Sequence, residues 1–149
     1  MSKNSVRTEG GPEQVFDVLD DAYAYPRWVV GTRRVRHVDP SWPAIGSEFH
    51  HAVGTAAGEI HDSSKVLERD RPRHLALEVR FRPIGVARVD LDVEAAETGS
   101  VVTLTERPLS GPFAWLPKVV SEPLLRVRNA LALQRLRHAA DSAGERGPA

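Results

Sequence analysis

The sequence predicts an α+β fold in which an antiparallel meander packs against one long C-terminal helix, with two short helices after the first strand. Three observations carry the prediction. From Thr32 onward apolar residues recur with a period of two, the mark of half-buried strands. Turn-forming Gly, Pro and Asp residues part these runs, and short links between consecutive strands make an antiparallel meander. From Leu124 to Ala140 the pattern becomes helical.

In chain order, a short extended piece around Val6 leads to Gly10-Gly11-Pro12-Glu13-Gln14. Proline suits the first helical position, where an N–H would have no partner, and Glu13 sits near the positive end of the helix dipole. Val15, Phe16, Val18 and Leu19 form the apolar stripe, and Asp20-Asp21 ends the helix. A second short helix or turn over Ala22–Val30 stops at Gly31. Turns at 39–46, 69–72, 82–85 and 97–100 then divide the strands. Leu75, Leu77, Val79 and Phe81 share one face, opposite Glu78, Arg80 and Arg82; Ala87, Val89, Leu91 and Val93 oppose Arg88, Asp90, Asp92 and Glu94. One wet face and one buried face is the antiparallel signature. In the long helix, begun at Glu122-Pro123, Leu124, Val127 and Leu131 form one apolar ridge and Leu125, Ala132, Leu136 and Ala139 another. So wide an apolar arc predicts that the helix lies deep against the sheet. Residues 142–149 are expected to be a disordered tail.

Bulk composition narrows the function. The 149 residues suit one domain spanning 1–149, with an ordered core of about 5–140. A net charge of zero gives no general pull toward nucleic acid or anionic lipid. Without cysteine, disulfides, thiolate chemistry and cysteine-held metals are excluded, and a cytoplasmic setting fits. The opening Met1-Ser2-Lys3-Asn4-Ser5 does not read as a signal peptide, and no apolar run approaches the roughly 20 residues of a membrane span.

Several local motifs occur in a telling order: Gly11-Pro12-Glu13-Gln14-Val15-Phe16-Asp17-Val18-Leu19, Tyr25-Pro26-Arg27-Trp28, Ile45-Gly46-Ser47-Glu48-Phe49-His50-His51, Arg69-Asp70-Arg71-Pro72-Arg73-His74-Leu75, Gly99-Ser100-Val101-Val102-Thr103, and Arg128-Asn129 followed by Leu133 and Arg135-Leu136. With the element order, these make the chain resemble the START/Bet v 1-like (SRPBCC) superfamily, specifically its actinobacterial polyketide cyclase/dehydrase-like proteins, over roughly residues 5–140. The resemblance implies a helix-grip fold: a curved sheet wrapped around the C-terminal helix, enclosing a cavity. It implies no single reaction, since the superfamily spans carriers, cyclases, chaperone activators and receptors.

A curved sheet offers more concave area than one helix fills, and such leftover cavities are mostly apolar with a few orienting polar groups. Extending the strand parity places Phe49, His51 and Val53 inward, then Ile60, Asp62, Ser64 and Val66, then Val102, Leu104 and Glu106. His51, Asp62, Ser64 and Glu106 are therefore the candidate polar lining. A buried carboxylate needs a partner or a raised pKa, and Arg128, near the centre of the helix's apolar arc, is the expected partner of Glu106. A His51–Asp62 pair would be capable of acid/base chemistry; the same residues also fit structural ion pairs or a cavity rim. By resemblance Tyr23, Tyr25 and Trp28 fall at the cavity wall or mouth. The apolar connection Pro112–Val120, including Trp115, fits a lid, a dimer contact or an extension of the helix.

Other chemistries are unsupported. Adjacent His50 and His51 point to opposite faces of a strand, and with His61 they make no metal-ligand spacing. Ser63-Ser64 has no nucleophile-elbow context, and no phosphate-binding glycine pattern occurs. Arg33, Arg34 and Arg36 read as a solvated strand face, without the aromatics that stack bases. No cofactor, metal, nucleic acid or membrane span is expected, and the oligomeric state is open. The partner expected is a hydrophobic small molecule such as a polyketide, lipid or quinone, carried or sensed. The alternatives are an aromatase/cyclase using His51, Asp62 or Glu106, and an interaction module with a closed cavity.

Overall fold

The computed structural model describes residues 2–55, 58–81 and 85–145. Its strands are β1 Ser2–Thr8, β2 Thr32–Val38, β3 Glu48–Thr55, β4 Gly58–Asp70, β5 His74–Phe81, β6 Gly85–Ala95 and β7 Ser100–Ser110. Between β1 and β2 lie α1 Pro12–Leu19, a 3-10 turn at Ala22–Ala24 and α2 Tyr25–Trp28. A 3-10 turn at Pro112–Trp115 leads into α3, Lys118–Glu145. The strands form one antiparallel sheet in the order β1-β7-β6-β5-β4-β3-β2. β1 and β2, neighbours in sequence, are thus its two edges. The α1–α2 segment spans between them and packs on α3, so all three helices cover the same face. This is the helix-grip architecture. The expected Arg82-Pro83-Ile84 link and the tail beyond Glu145 lie outside the described residues, as do the side chains of Phe81 and Phe113.

Local chemistry explains where elements start and stop. The α1 N-terminus is held by Gln14, whose Oε1 accepts the Gly11 N–H at 3.1 Å. Its C-terminus is nailed to the sheet through Asp20. That carboxylate accepts from Arg69 Nε and Nη2 at 3.1 and 2.7 Å and from Arg71 Nη1 at 2.7 Å, while the Asp20 carbonyl accepts the Trp42 indole N–H at 2.8 Å. The bonds to the carboxylate are charge-assisted and partly buried, the stronger kind. Between β6 and β7, Gly99 adopts φ 75°, and a Cβ there would collide with the Thr8 carbonyl. Only glycine lets this turn close against the end of β1.

The strand parity holds along β3–β7: Phe49, His51, Asp62, Ser64, Val66, Leu75, Leu77, Val79, Leu91, Val93, Val102, Leu104 and Glu106 are buried. Ile60 departs from it in burial and is exposed, near the β3–β4 hairpin end of the strand.

The long helix corrects two expectations. It begins at Lys118, before Pro123, because the Pro117 carbonyl closes the first turn by accepting from Val120 and Ser121. It also continues through Ser142–Glu145. There Asp141 Oδ1 accepts the Glu9 and Gly10 amides at 3.0 and 3.2 Å, tying that end to the exit of β1. The second correction concerns facing. Leu125, Asn129, Ala132, Leu133, Leu136 and Ala140 are buried, whereas Leu124, Val127 and Leu131 point to solvent. With ~100° between successive residues, the two sets occupy opposite sides of the helix.

Candidate functional site

β3 and β4 pair with His51 opposite Asp62 and Phe49 opposite Ser64. That register sets all four side chains on the helix-covered face. Across the sheet, Glu106 on β7 pairs with Val89 on β6. α2 and α3 close the space from above. The result is a cavity of about 40 Å³, walled by Tyr25, Trp28, Phe49, His51, Ser64, Leu77, Val79, Val89, Leu104, Glu106, Arg128, Asn129 and Ala132, among others. That is space for only about two or three water molecules. A larger cleft of about 320 Å³ opens beside it, lined by Val30, Gly31, Val53, Gly85, Val86, Ala87, Pro108, Ser110 and Leu125 together with Glu106 and Arg128. Its size is in the range of small-molecule pockets. The inner space is thus small, and the larger of these two spaces lies toward the end of β7.

The Glu106–Arg128 pair stands between the two. Glu106 is buried; Arg128 Nη1 donates to its Oε1 at 3.3 Å, and Nη2 donates to the Val30 carbonyl at 3.3 Å. Such a counter-charge offsets the cost of burying the carboxylate.

Aromatic rings build one wall. Tyr25 lies 4.8 Å from Trp28 and 4.7 Å from Phe49, centroid to centroid, and Phe49 lies 5.5 Å from His51. Tyr25 Oη donates to the Leu19 carbonyl at 2.8 Å, and burial pushes its pKa up. Tyr25 therefore offers the cavity its ring and not its hydroxyl.

Three polar atoms here are unusual. Trp28 Nε1, His51 Nδ1 and Asn129 Nδ2 are buried and find no hydrogen-bond partner among the described residues. All three residues line the inner cavity. Native proteins leave few such groups unpaired, since each costs the full desolvation of a donor. Trp28 and Asn129 can only donate from these atoms. His51 Nε2 faces Ser64 Oγ at 3.4 Å. Burial pushes the His51 pKa below its ordinary value, partly opposed by the Asp62 charge and the nearby Ser63 backbone, so the ring is neutral at neutral pH.

Of the residues expected at the site, Tyr25, Trp28, His51, Ser64, Glu106 and Arg128 come together around the inner cavity. Asp62 is buried beside His51 but forms part of neither wall, and it acts on the imidazole through its charge. Trp115 lies outside both walls and is 82% exposed. Among the described side chains of that connection, Trp115, Leu116, Val119 and Val120 are exposed, and residues 118–120 belong to the first turn of α3. Asn129 was missing from the expected set. Its signal was present: a polar residue lying among the Leu125, Ala132 and Leu136 positions.

Elsewhere, Glu68, His74 and Asp90 cluster on the outer face. The Arg88 guanidinium already bridges it, at 2.7 Å from Glu68 and 3.0 Å from Asp90, and His74 Nδ1 lies 2.8 Å from Asp92. This is a cross-strand ion network, which braces the sheet.

A family model described as polyketide cyclase / dehydrase and lipid transport matches residues 3–141. No curated protein matches the chain. Among solved structures, Ara h 8.0201 superposes with TM-score 0.72 at 14% identity, covering 94% of this chain and 96% of its own. A conserved protein from Geobacillus kaustophilus gives 0.71 at 15%, covering 95% of each chain. The di-domain ARO/CYC StfQ of the steffimycin biosynthetic pathway gives 0.66 at 15%, covering 97% of this chain and 50% of that one. At such identities these likenesses establish the fold.

Proposed function

The chain belongs to the polyketide cyclase / dehydrase and lipid transport family, and from that premise we propose that it binds a hydrophobic small molecule bearing carbonyl or hydroxyl oxygens. The family and the fold together support a hydrophobic-ligand or cyclase role. One observation carries the finer reading: the buried donors of Trp28 and Asn129 lack acceptors in a chamber whose other walls are largely apolar. A ligand oxygen would satisfy them, and the apolar walls would select a molecule that is otherwise hydrocarbon or aromatic. The body of such a ligand fits the outer cleft. Its oxygenated end would meet the inner chamber at Glu106 and Arg128, which line both spaces. In this reading the protein is a carrier or sensor.

A second reading has its own support. The neutral, buried His51, with the Asp62 charge beside it, has the properties of a general base. On a bound polyketide it would take the proton next to one carbonyl, with Arg128 or the Trp28 and Asn129 donors holding the enolate oxygen. The enolate carbon would attack a second carbonyl of the same molecule, whose oxygen would take the proton back from His51 and become a hydroxyl. Removal of a further α-proton by His51, with return of that proton to the departing hydroxyl, would release water. Native mass spectrometry of protein purified from its own host tests both. A co-purifying oxygenated ligand is expected, and its loss in the Asn129→Leu variant would place it in the chamber. Release of the molecule unchanged marks a carrier; release of a product lighter by water, abolished by His51→Gln, marks a cyclase. A protein that binds nothing from host extract or from a panel of polyphenols, quinones and lipids has neither role.

A further inference from the structure

Glu106 is only 3% exposed, yet its carboxylate holds a single hydrogen bond among the described residues, the 3.3 Å contact from Arg128 Nη1 to Oε1. Oε2 accepts none. A carboxylate has room for about four such bonds. Elsewhere this chain fills more of that capacity: the Asp20 carboxylate, although less buried, accepts three bonds, at 3.1, 2.7 and 2.7 Å. A buried acceptor left so short of donors is completed by water or by a ligand.

Glu106 lines both the chamber and the cleft of about 320 Å³. The remaining lining of the cleft is aliphatic or glycine except for Arg128 and Ser110, and Ser110 is exposed to solvent. Arg128 can only donate. Among the described residues Glu106 is therefore the one buried side-chain acceptor of the cleft. The chamber is its chemical opposite, with unpaired donors on Trp28 and Asn129. A ligand carbonyl satisfies those donors; only an O–H or N–H satisfies Glu106. Charge narrows the choice further. Arg128 already supplies the counter-charge of Glu106, so a ligand ammonium would lie beside the guanidinium in a site of low dielectric, where like charges repel strongly. A neutral hydroxyl meets no such penalty.

We propose that Glu106 determines the specificity of this site by accepting a hydrogen bond from a ligand hydroxyl at Oε2. The inference rests on the hydrophobic-ligand reading above and narrows it. Phenols and other hydroxyl-bearing molecules are selected over quinones, ethers and esters, whose oxygens only accept. A hydroquinone would bind more tightly than the quinone of the same skeleton. The discrimination has a physical source: a ligand without the hydroxyl strips water from the carboxylate on entry and returns no bond.

Matched probes test it: β-naphthol and its methyl ether, titrated by fluorescence against the full chain. Wild type is expected to bind the naphthol about tenfold more tightly than the ether. Glu106→Leu combined with Arg128→Met removes the acceptor without stranding a buried charge, and there the ratio should fall to about one. Glu106→Gln keeps the shape and a neutral, weaker acceptor, so its ratio should be about threefold. Each ratio is internal to one protein, so a general loosening of the site weakens both probes alike and does not imitate the result. Equal affinities in wild type overturn the proposal and leave the hydrophobic-ligand reading standing. An undiminished ratio in either variant overturns it too, as does tighter binding of the naphthylmethylammonium ion than of the naphthol. Binding of other polyphenols, quinones or lipids but of neither probe overturns this proposal alone. A protein that binds none of them overturns the underlying reading as well.

Discussion

Glu106 and Arg128 meet 3.3 Å apart across the interior, one from the last strand and one from the long helix, and both side chains line the inner chamber and the outer cleft. The pair is both a structural link between sheet and helix and the partition between the two spaces.

Removing one member should hurt more than removing both. In Arg128→Met, Glu106 stays buried without its counter-charge; the expected loss is about 2–3 kcal/mol, below the full value for a buried pair because Arg128 is partly exposed. The double change Glu106→Gln with Arg128→Met should recover at least half of that loss. Urea unfolding of the three proteins measures it.

Asn129→Leu separates stability from function. Replacing a side chain whose buried Nδ2 has no acceptor by an apolar one should leave stability unchanged or raise it by up to about 1 kcal/mol. The same change should lower affinity for an oxygenated ligand about tenfold, the worth of one good hydrogen bond. Thermal unfolding and ligand titration on one sample would show opposite trends.

Asp20→Ala should be among the most damaging changes outside the core. It strips three hydrogen bonds from Arg69 and Arg71 and leaves both guanidinium groups half-buried beside each other. A loss of about 2–4 kcal/mol is expected, with hydrogen exchange accelerating first in α1, whose end it fastens.

His51 makes stability depend on pH. Its folded-state pKa is lowered by burial, so as pH falls below the ordinary value of about 6.5 the unfolded chain takes up the proton first. The contribution is complete above that value, falls as pH drops toward the folded-state pKa, and then levels off. His51→Gln should flatten this part of the curve, seen as a smaller difference between unfolding midpoints at about pH 7.5 and about pH 5. Titration of the His51 ring by NMR gives the folded value directly.

The sheet was legible because period two is unambiguous: once Leu75 and Leu77 face the core, Glu78 cannot, and the same parity correctly placed His51, Ser64 and Glu106. α3 resisted the same treatment. Its apolar residues cover most of the circumference, so periodicity alone could not choose between the Leu124–Val127–Leu131 ridge and the Leu125–Ala132–Leu136 ridge. The choice rests on which arc meets β1 and α1, a tertiary fact. Arg128 was found as the partner of Glu106 because a lone arginine within an apolar arc needs one. Asn129, beside it, carries the same kind of signal. The size of the chamber left no trace in the sequence, since it is whatever space Trp28, Phe49, Leu104 and their neighbours leave unfilled.

The edge position of β1 sets the order in which this molecule can be built. Val6 pairs with Val102 and Ser2 with Glu106, so the first strand of this sheet waits for the seventh to be made. At ordinary elongation rates that wait is roughly 5–20 s. During it, Val6 has no strand to pair with, while the five strands β2–β6 can zip up by local hairpins alone. Closure of β7 against β1 is therefore the slow, long-range event that ends folding, and the N-terminal arm is the part of the nascent chain that most needs protection from aggregation until it occurs.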